Sequence, residues 1–234
     1  MPPLRVVHLS GVPIFQQLQI EEALFRASDD NWCLMNYGAS PAIVMGLSGS
    51  IDEVEAALPV IQRFSGGGTV VVDEDTLFFS LVVQNSCLPC RAEPVALMEW
   101  MARLVAPAFR PYTMALKEHD FTIDDKKIGG NAQSFGMDRC VHHTSFLWSW
   151  SPERMGLLKV PSKQPAYRKQ RGHEAFCHKL SEYFCSKQEL AHALAQCLES
   201  RFSCRKASLQ EACAIMEKPH RKTTKFLLIP ELIP

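Results

Sequence analysis

Arg63-Phe64-Ser65-Gly66-Gly67-Gly68-Thr69-Val70-Val71-Val72-Asp73 joins a glycine triplet directly to a β-branched run. Glycine opens backbone conformations closed to other residues and lets a ligand approach the amides, at an entropic cost that makes an idle triplet uncommon in a compact domain. The same triplet also suits a plain flexible turn, so its neighbours decide. Arg63 brings a planar, permanently charged guanidinium suited to phosphate or carboxylate, and Ser65 a hydroxyl beside the bared amides. The stretch predicts an anion-binding loop feeding a strand. No Gly-Lys-Ser/Thr follows, which excludes a Walker loop, and the spacing is not the dinucleotide fingerprint GxGxxG.

Outside this stretch, the 234 residues, 47% of them hydrophobic, suffice for one sizeable core, and a single domain over 1–234 is expected. The 25 basic and 25 acidic side chains cancel. That removes the global field that draws nucleic acid or an anionic membrane, and neither partner is expected. No apolar run reaches the roughly 20 residues of a spanning helix. The opening Met1-Pro2-Pro3-Leu4-Arg5 carries neither a secretory nor a transit pattern, which points to the cytoplasm, or to the mitochondrion if a presequence has been removed. Nine cysteines, an odd number scattered from Cys33 to Cys213, read as reduced thiols. Cys87-Leu88-Pro89-Cys90 has the spacing of half a zinc site, but no second half follows and no metal is assigned.

Ile14, Leu18 and Phe25 space out an early amphipathic helix with an ordinary polar face. Trp32–Met35 and Ala42–Met45 predict a hairpin across Asn36-Tyr37-Gly38, and 51–58 a short acidic helix. Val60-Ile61 is a strand delivering Arg63 to its loop, and Thr69–Val72 is expected to pair with Leu77–Val83 across Asp73-Glu74-Asp75. Val95, Met98, Ala102, Val105 and Phe109 predict a core-covering helix begun by Pro94. A second hairpin runs from Asp120–Ile123 through Asp124-Asp125 to Lys126–Gln133, placing Lys127 just before a second glycine pair, and Val141–Trp148 is a further strand. Residues 159–171 read as an exposed basic loop. Phe176, Leu180 and Phe184 mark one helix, and Ser186-Lys187-Gln188-Glu189 is a capping box opening another. Residues 206–234 form a C-terminal tail ending in an apolar segment, Phe226–Ile229.

Two glycine-rich loops, one led by Arg63 and one by Lys127, are more specific together than apart. The first, Arg63 to Asp73, resembles the RRxSGGGxVxHD signature of the lipoate-protein ligase A family. Asp125-Lys126-Lys127-Ile128-Gly129-Gly130-Asn131-Ala132 resembles that family's lysine signature, His142-His143-Thr144-Ser145-Phe146-Leu147 its HHGTLL strand, and Glu118-His119-Asp120-Phe121 its RNDL strand. With the paired glutamates of the early helix, the resemblance spans about residues 4 to 205. It implies an α+β fold, a mixed, largely antiparallel sheet flanked by helices, the class II synthetase-like catalytic fold shared with biotin-protein ligases. It also implies that ATP, with magnesium, and lipoate combine to lipoyl-adenylate, whose acyl group passes to a lysine of lipoyl-domain proteins of 2-oxoacid dehydrogenase or glycine cleavage complexes. In that scheme Lys127 is catalytic, contacting acyl carbonyl and phosphate. Arg63, Ser65, Gly66, Gly67, Gly68, Asp73, Asp120, Gly130, Ala132 and His143 bind the ligand, His143 being the inward member of its pair.

The chain departs from the family pattern at four places. The first arginine is Gln62, the histidine before the signature aspartate is Val72, the asparagine of RNDL is His119, and the glycine after the histidine pair is Thr144. The lost arginine and histidine bear on adenylation more than on acyl recognition. The chain also ends without the accessory domain of longer ligases, so a separate accessory subunit is one expectation. Two alternatives stay open. One is an octanoyltransferase drawing on acyl carrier protein through a cysteine thioester, with Cys140 or Cys177 as nucleophile. The other is a non-catalytic member that binds lipoyl domains or acyl groups.

Overall fold

In the strand Thr76–Gln84 every residue from Thr76 to Val83 is buried, so it has no solvent face. Such a strand belongs in the middle of a sheet covered on both sides. The computed structural model, which describes residues 2–55, 57–159 and 164–229, places it there. In chain order the elements are β1 (Leu4–Leu9), α1 (Ile14–Ala27), β2 (Asn31–Asn36), β3 (Ala42–Met45), β4 (Val60–Gln62), β5 (Val70–Val72), β6 (Thr76–Gln84), α2 (Pro94–Val105) and β7 (Ala115–Lys117). There follow β8 (Asp120–Ile123), β9 (Lys126–Phe135), β10 (Arg139–Leu147), α3 (Pro152–Met155), α4 (His173–Phe176), α5 (Lys187–Glu199), β11 (Cys204–Lys206), α6 (Leu209–Ala214) and β12 (Lys225–Leu228).

Eight strands form one sheet in the order β11-β1-β2-β6-β10-β9-β8-β7, and four form a second in the order β12-β4-β3-β5. β1 runs parallel to β2 and β11, and β3 to β4; the other pairs are antiparallel. This is the expected α+β arrangement of mixed, largely antiparallel sheets flanked by helices. Alternation sorts the side chains into two layers. Leu77, Phe79, Leu81, Val83, Cys140 and Phe146 pack with Leu97, Met101 and Val105 of α2 and Leu190, Leu194 and Leu198 of α5. Val82, Val141, Trp32 and Leu34 face the other way, under Ile20, Leu24 and Phe25 of α1. The first turns of α1 add Ile14 and Leu18 to a third cluster with Val44, Ile61, Val72 and Phe78, which joins the two sheets. One helix therefore serves both sheets, and the cavity described below opens beside it.

The periodic helices α1 and α2 and the β8–β9 hairpin stand where the sequence predicts them. Two expected hairpins do not form. β2 pairs with β1 and β6 in the large sheet while β3 pairs with β4 and β5 in the small one. β5 and β6 likewise separate. The cause of the second is the turn itself: the Asp73 carbonyl accepts from Thr76 N at 3.1 Å and Ala39 N at 3.1 Å, and its carboxylate from Asp75 N at 2.9 Å. That tight turn hands the chain from one sheet to the other instead of folding it back. The acidic helix is reduced to one 3₁₀ turn, Ile51–Glu53, because Val54 is extended and bridges Leu158. The single helix over Phe176 to Phe184 is interrupted, since Cys177 bridges Lys127 and His178 N donates to Lys127 O at 2.8 Å. At Ser186 the expected cap forms, with Oγ accepting from Glu189 N, while the Glu189 carboxylate reaches Cys185 N rather than the cap residue's own amide.

The tail beyond 206 is tied to the body, with residues 230–234 lying outside the described region. β12 pairs antiparallel with β4, Phe226 packs at a tilt against Phe15 at 4.0 Å between centroids, and Glu22 gathers Thr223 N, Thr223 Oγ1 at 2.6 Å and Thr224 N at 2.8 Å. Burial would raise the Glu22 carboxyl, but these hydrogen bonds outweigh it and hold it below its usual 4.5. A carboxylate with a depressed folded pKa contributes stability that is present above the unfolded value and lost as pH falls. Glu22→Gln, which sets an amide donor against these donors, should destabilise the protein by about 1–3 kcal/mol at pH 7. In urea titrations the gap from wild type should narrow as pH drops below 4.5.

Candidate functional site

The two glycine motifs meet on the wall of a cavity of about 960 Å³. Its apolar wall comes from Ile14, Leu18, Val44, Val72 and Phe78, residues of the cluster that joins the sheets. Its polar wall comes from the loop after β4, the return strand β9, His143 of β10 and the segment 164–177.

The glycine loop is shaped by Arg63. Its guanidinium is buried and donates from Nη2 to Gly66 O at 2.9 Å and Gly68 O at 2.8 Å, with longer bonds from Nε to Gly66 O and from Nη1 to Val44 O. Burial lowers its pKa to about 10, which leaves it charged at neutral pH. Arg63 thus holds the loop's carbonyls inward, while the amides of Gly67, Gly68 and Thr69 have no acceptor among the described residues. The anion-binding capacity lies in those amides, with Arg63 behind them. Gly67 sits at φ +106°, and a Cβ there would lie 2.7 Å from Arg63 Nη2 and 3.1 Å from Ala132 Cβ; at Gly68 a Cβ meets nothing within 4 Å.

A buried relay fastens this loop to the sheet and to α1. Ser65 Oγ lies 2.9 Å from His143 Nε2, and His143 Nδ1 lies 2.8 Å from Glu21 Oε2. The other Glu21 oxygen accepts from Ser80 Oγ at 2.6 Å and Gln17 Nε2 at 2.8 Å. Burial alone would raise the Glu21 carboxyl; the charge and hydrogen bond of His143 and the two further donors outweigh it and keep it low. The sequence-based expectation of an ordinary polar face on α1 is corrected here, because Glu21 and Glu22 are both buried. One helical step of 100° separates them and sends one to the site and the other to the tail.

Lys127 stands beside a β-bulge: Phe121 pairs with Gly129 and Thr122 with Lys127, so Ile128 is the extra residue. Bulges re-aim side chains next to sites. Lys127 Nζ lies 2.8 Å from Asp120 Oδ1, and the second Asp120 oxygen accepts the Tyr167 hydroxyl at 2.8 Å. Burial and the Asp120 charge push the Tyr167 hydroxyl far above its usual range, so it remains a donor. A Cβ at Gly130 would lie 3.1 Å from Lys127 Nζ, so the second glycine motif makes room for its own lysine. His142 points to the opposite layer, stacked on Phe121 and bonded to Gln133, where burial lowers its pKa to about 3 and keeps it neutral.

Arg63, Gly66, Gly67, Gly68, Asp120, Lys127, Gly130, Ala132 and His143 share the cavity wall, and Ser65 sits fully buried behind it. Asp73 is not brought to it: its carboxylate caps the inter-sheet turn and pairs with Arg154 Nη1 at 2.6 Å. The expected exposed loop is corrected over 164–171, since Arg168 is buried and Tyr167 holds Asp120, while 160–163 lie outside the described residues. Sequence reasoning missed Glu21, Tyr167, Arg168 and His173 as site residues; a Tyr-Arg pair amid prolines was the only mark the loop carried. Of the departures from the family pattern, Gln62 donates to Leu47 O, Val72 joins the apolar wall, His119 is exposed, and Thr144 Oγ1 donates to Asn131 Oδ1 at 2.6 Å. Gly67→Ala should lose about 1–3 kcal/mol in thermal or urea unfolding through strain and crowding, whereas Gly68→Ala should stay within about 0.5 kcal/mol of wild type.

The family described as "Lipoyl protein ligase A/B catalytic domain" matches residues 13–199. "Inactive lipoate--protein ligase 2" of Plasmodium falciparum (isolate 3D7) is 27% identical over 245 residues, covering 74% of this chain and 62% of that protein. "Putative lipoate-protein ligase A" of Schizosaccharomyces pombe is 26% identical over 153 residues, 61% of this chain and 40% of that protein. The chain thus spans less than two thirds of the length of either relative. Among solved structures, lipoate-protein ligase A bound with ATP has a TM-score of 0.74 at 17% identity, covering 92% of both chains. A structure described as a bipartite lipoate protein ligase and its E2 lipoyl domain, from Thermoplasma acidophilum, has a TM-score of 0.72 at 17% identity, covering 92% of this chain and 91% of that one. P. falciparum LipL1 in complex with lipoate has 0.71 at 16%, covering 92% and 69%. At these identities the structural likeness concerns the fold, and the family follows from the match over 13–199: this chain belongs to the lipoyl protein ligase A/B catalytic domain family.

Proposed function

We propose that this chain joins a lipoyl-type acid to AMP at the expense of ATP and passes the acyl group to a lysine of a lipoyl domain. The observation that carries the reading is one cavity of about 960 Å³ lined by Lys127, fixed by Asp120, by the glycine loop with its unpartnered amides, and by an apolar wall. In the first half-reaction the acid's carboxylate oxygen attacks the α-phosphorus of ATP and pyrophosphate leaves. In the second the acceptor's neutral amine attacks the acyl carbonyl, AMP leaves, and the amine's surplus proton passes to solvent. Negative charge grows on oxygens of the acyl-phosphate junction in both, and the Lys127 ammonium, held in place before reaction, offsets it. Asp120 fixes that ammonium, and Tyr167 fixes Asp120. Ser65, His143 and Glu21 keep the amide loop in register with β9, where Gly66 N donates to Gln133 O at 3.1 Å. Magnesium enters this reading as the counter-ion of ATP.

Lipoyl domains are the proposed acceptors, supported by the description of the Thermoplasma ligase together with its E2 lipoyl domain. The thioester alternative would rest on Cys177, which lies on the cavity wall beside Lys127. Burial pushes its thiol above the ordinary value, against the pull of Lys127 and Arg168, and a protonated thiol is a poor nucleophile. Cys140 lies in the opposite layer with its pKa raised to about 12 by burial.

Single-turnover transfer from supplied acyl-adenylate separates a catalytic ammonium from an ordinary hairpin lysine. Lys127→Met should lose about 2.7–4 kcal/mol of transition-state stabilisation, a 10²–10³-fold fall in rate, by analogy with deletion of one oxyanion donor. Lys126→Met, next on the same strand, should transfer at the wild-type rate. Equal rates for the two variants would remove Lys127 from the mechanism, and lipoate-dependent ATP–pyrophosphate exchange tests the activation step by itself.

A further inference from the structure

We propose that Arg168, with His173 beside it, forms an oxyanion subsite of this cavity that grips a phosphoryl group of the ligand; the proposal rests on the adenylate reading above. Arg168 closes a 3₁₀ turn, Ala166–Arg168, and is 5% exposed. Its guanidinium lies 4.8 Å over the Phe176 ring, and Nε donates to Arg171 O at 2.9 Å. Nη2 is buried without an acceptor among the described residues, and none of their carboxylates pairs with it. The carboxylates nearest in the wall are engaged elsewhere: Asp120 by Lys127 and Tyr167, and Glu118 by Tyr167 N.

Three residues on, Arg171 shows what a structural arginine looks like in the same loop. It stacks over the same ring at 5.5 Å, but its guanidinium is bonded to four carbonyls, those of Arg168, Tyr167, Asp125 and Ala175. Arg171 binds the loop together and Arg168 is left with donors to spare. A buried guanidinium with no counter-charge is unfavourable, and a bound anion relieves that penalty. His173 Nε2, also on the cavity wall, is a second buried atom without a partner, and burial with the charges of Arg168 and Lys127 keeps the ring neutral. The Leu158 backbone accepts from the ring, so Nε2 becomes a third donor when the ring takes up a proton beside the bound anion.

A phosphoryl group fits this donor set better than a carboxylate. The guanidinium fork engages two oxygens and the imidazole a third. No second cation arrives from β4 either, because Gln62 is turned to Leu47 O and Arg63 is committed to the loop's carbonyls. Arg168 supplies it from the segment 164–177 of the cavity wall. The phosphoryl group belongs either to the nucleotide carried by the acyl group or to the pyrophosphate that departs, and the two are separable by probe.

Calorimetric titration of wild type and Arg168→Met with AMP, inorganic pyrophosphate and octanoate provides the test. Methionine keeps an apolar stem on Phe176, and a melting curve establishes that the variant is folded. Affinity for AMP or for pyrophosphate should fall about 30-fold or more, as expected for truncating one partner of a buried charge pair, with octanoate binding unchanged. A loss for AMP places the nucleotide phosphate at Arg168, and a loss for pyrophosphate places the leaving group there. Should Arg168→Met fail to fold, Arg168→Lys, which keeps charge but not the fork, should still bind the same phosphate probe more weakly than wild type, and wild-type affinity in it would overturn the subsite. Unchanged phosphate binding in the folded variant, a wild type that binds neither phosphate probe, or a loss confined to octanoate would each overturn the subsite. Acyl transfer by wild type from octanoyl-adenylate reads the proposed activity separately. Transfer with Arg168-independent phosphate binding overturns the subsite alone, and Arg168-dependent binding without transfer supports the subsite and overturns the activity.

Discussion

A carboxylate with no access to water can stay ionised in a protein only if its surroundings are built for it, and Glu21 imposes that condition on this fold. Its two oxygens gather His143 from β10, Ser80 from β6 and Gln17 from its own helix. Those partners fix the helix against the sheet and fix which ring nitrogen of His143 is left to face Ser65. Through Ser65 the constraint reaches the glycine loop, where Arg63 completes the work by turning carbonyls inward. The polar site and the apolar core are therefore not separate achievements of the chain. The helix that buries Ile20, Leu24 and Phe25 against the large sheet is the one that sets the position of the site's innermost charge.

The glycine motifs, Lys127 and the inward member of the histidine pair were legible because each depends on local chemistry that residue type announces: absence of a Cβ, a fixed charge, alternation along a strand. Asp73 was assigned to the ligand by motif alone, and its carboxylate proved to be engaged by the turn that follows and by Arg154, eighty-one positions away. Arg63 is expected to meet an anion, and in the structure its guanidinium donates to carbonyls of its own loop; nothing in its residue type distinguishes the two recipients. Glu21 was missed for a related reason. Two adjacent glutamates on a helix look solvated until the elements that cover them are known, and those elements come from β6, β10 and the segment at 223–224.

Sheet membership was the least legible part of the fold. Short apolar runs separated by turn residues favour hairpins, and both misassigned pairs met that description. Which runs pair was decided by burial on two faces, a property of the assembled layers, and by the hydrogen bonds of one four-residue turn. The β8–β9 pair escaped the difficulty because Asp124 and Asp125, both at positive φ, form a turn that can only reverse the chain.

The pairing of β1 with β11 joins Leu4 to Cys204. β1 also pairs with β2, and β2 with the central β6, so the large sheet acquires its outer edge only from a segment some two hundred positions downstream of its first strand. Closing so long a loop removes much chain entropy before any contact compensates for it, and topologies dominated by such pairings fold slowly. During synthesis, α1 and its Glu21 emerge long before Ser80 and His143 do. The helix that organises the site must wait, with its charge solvated, until most of the chain exists to receive it.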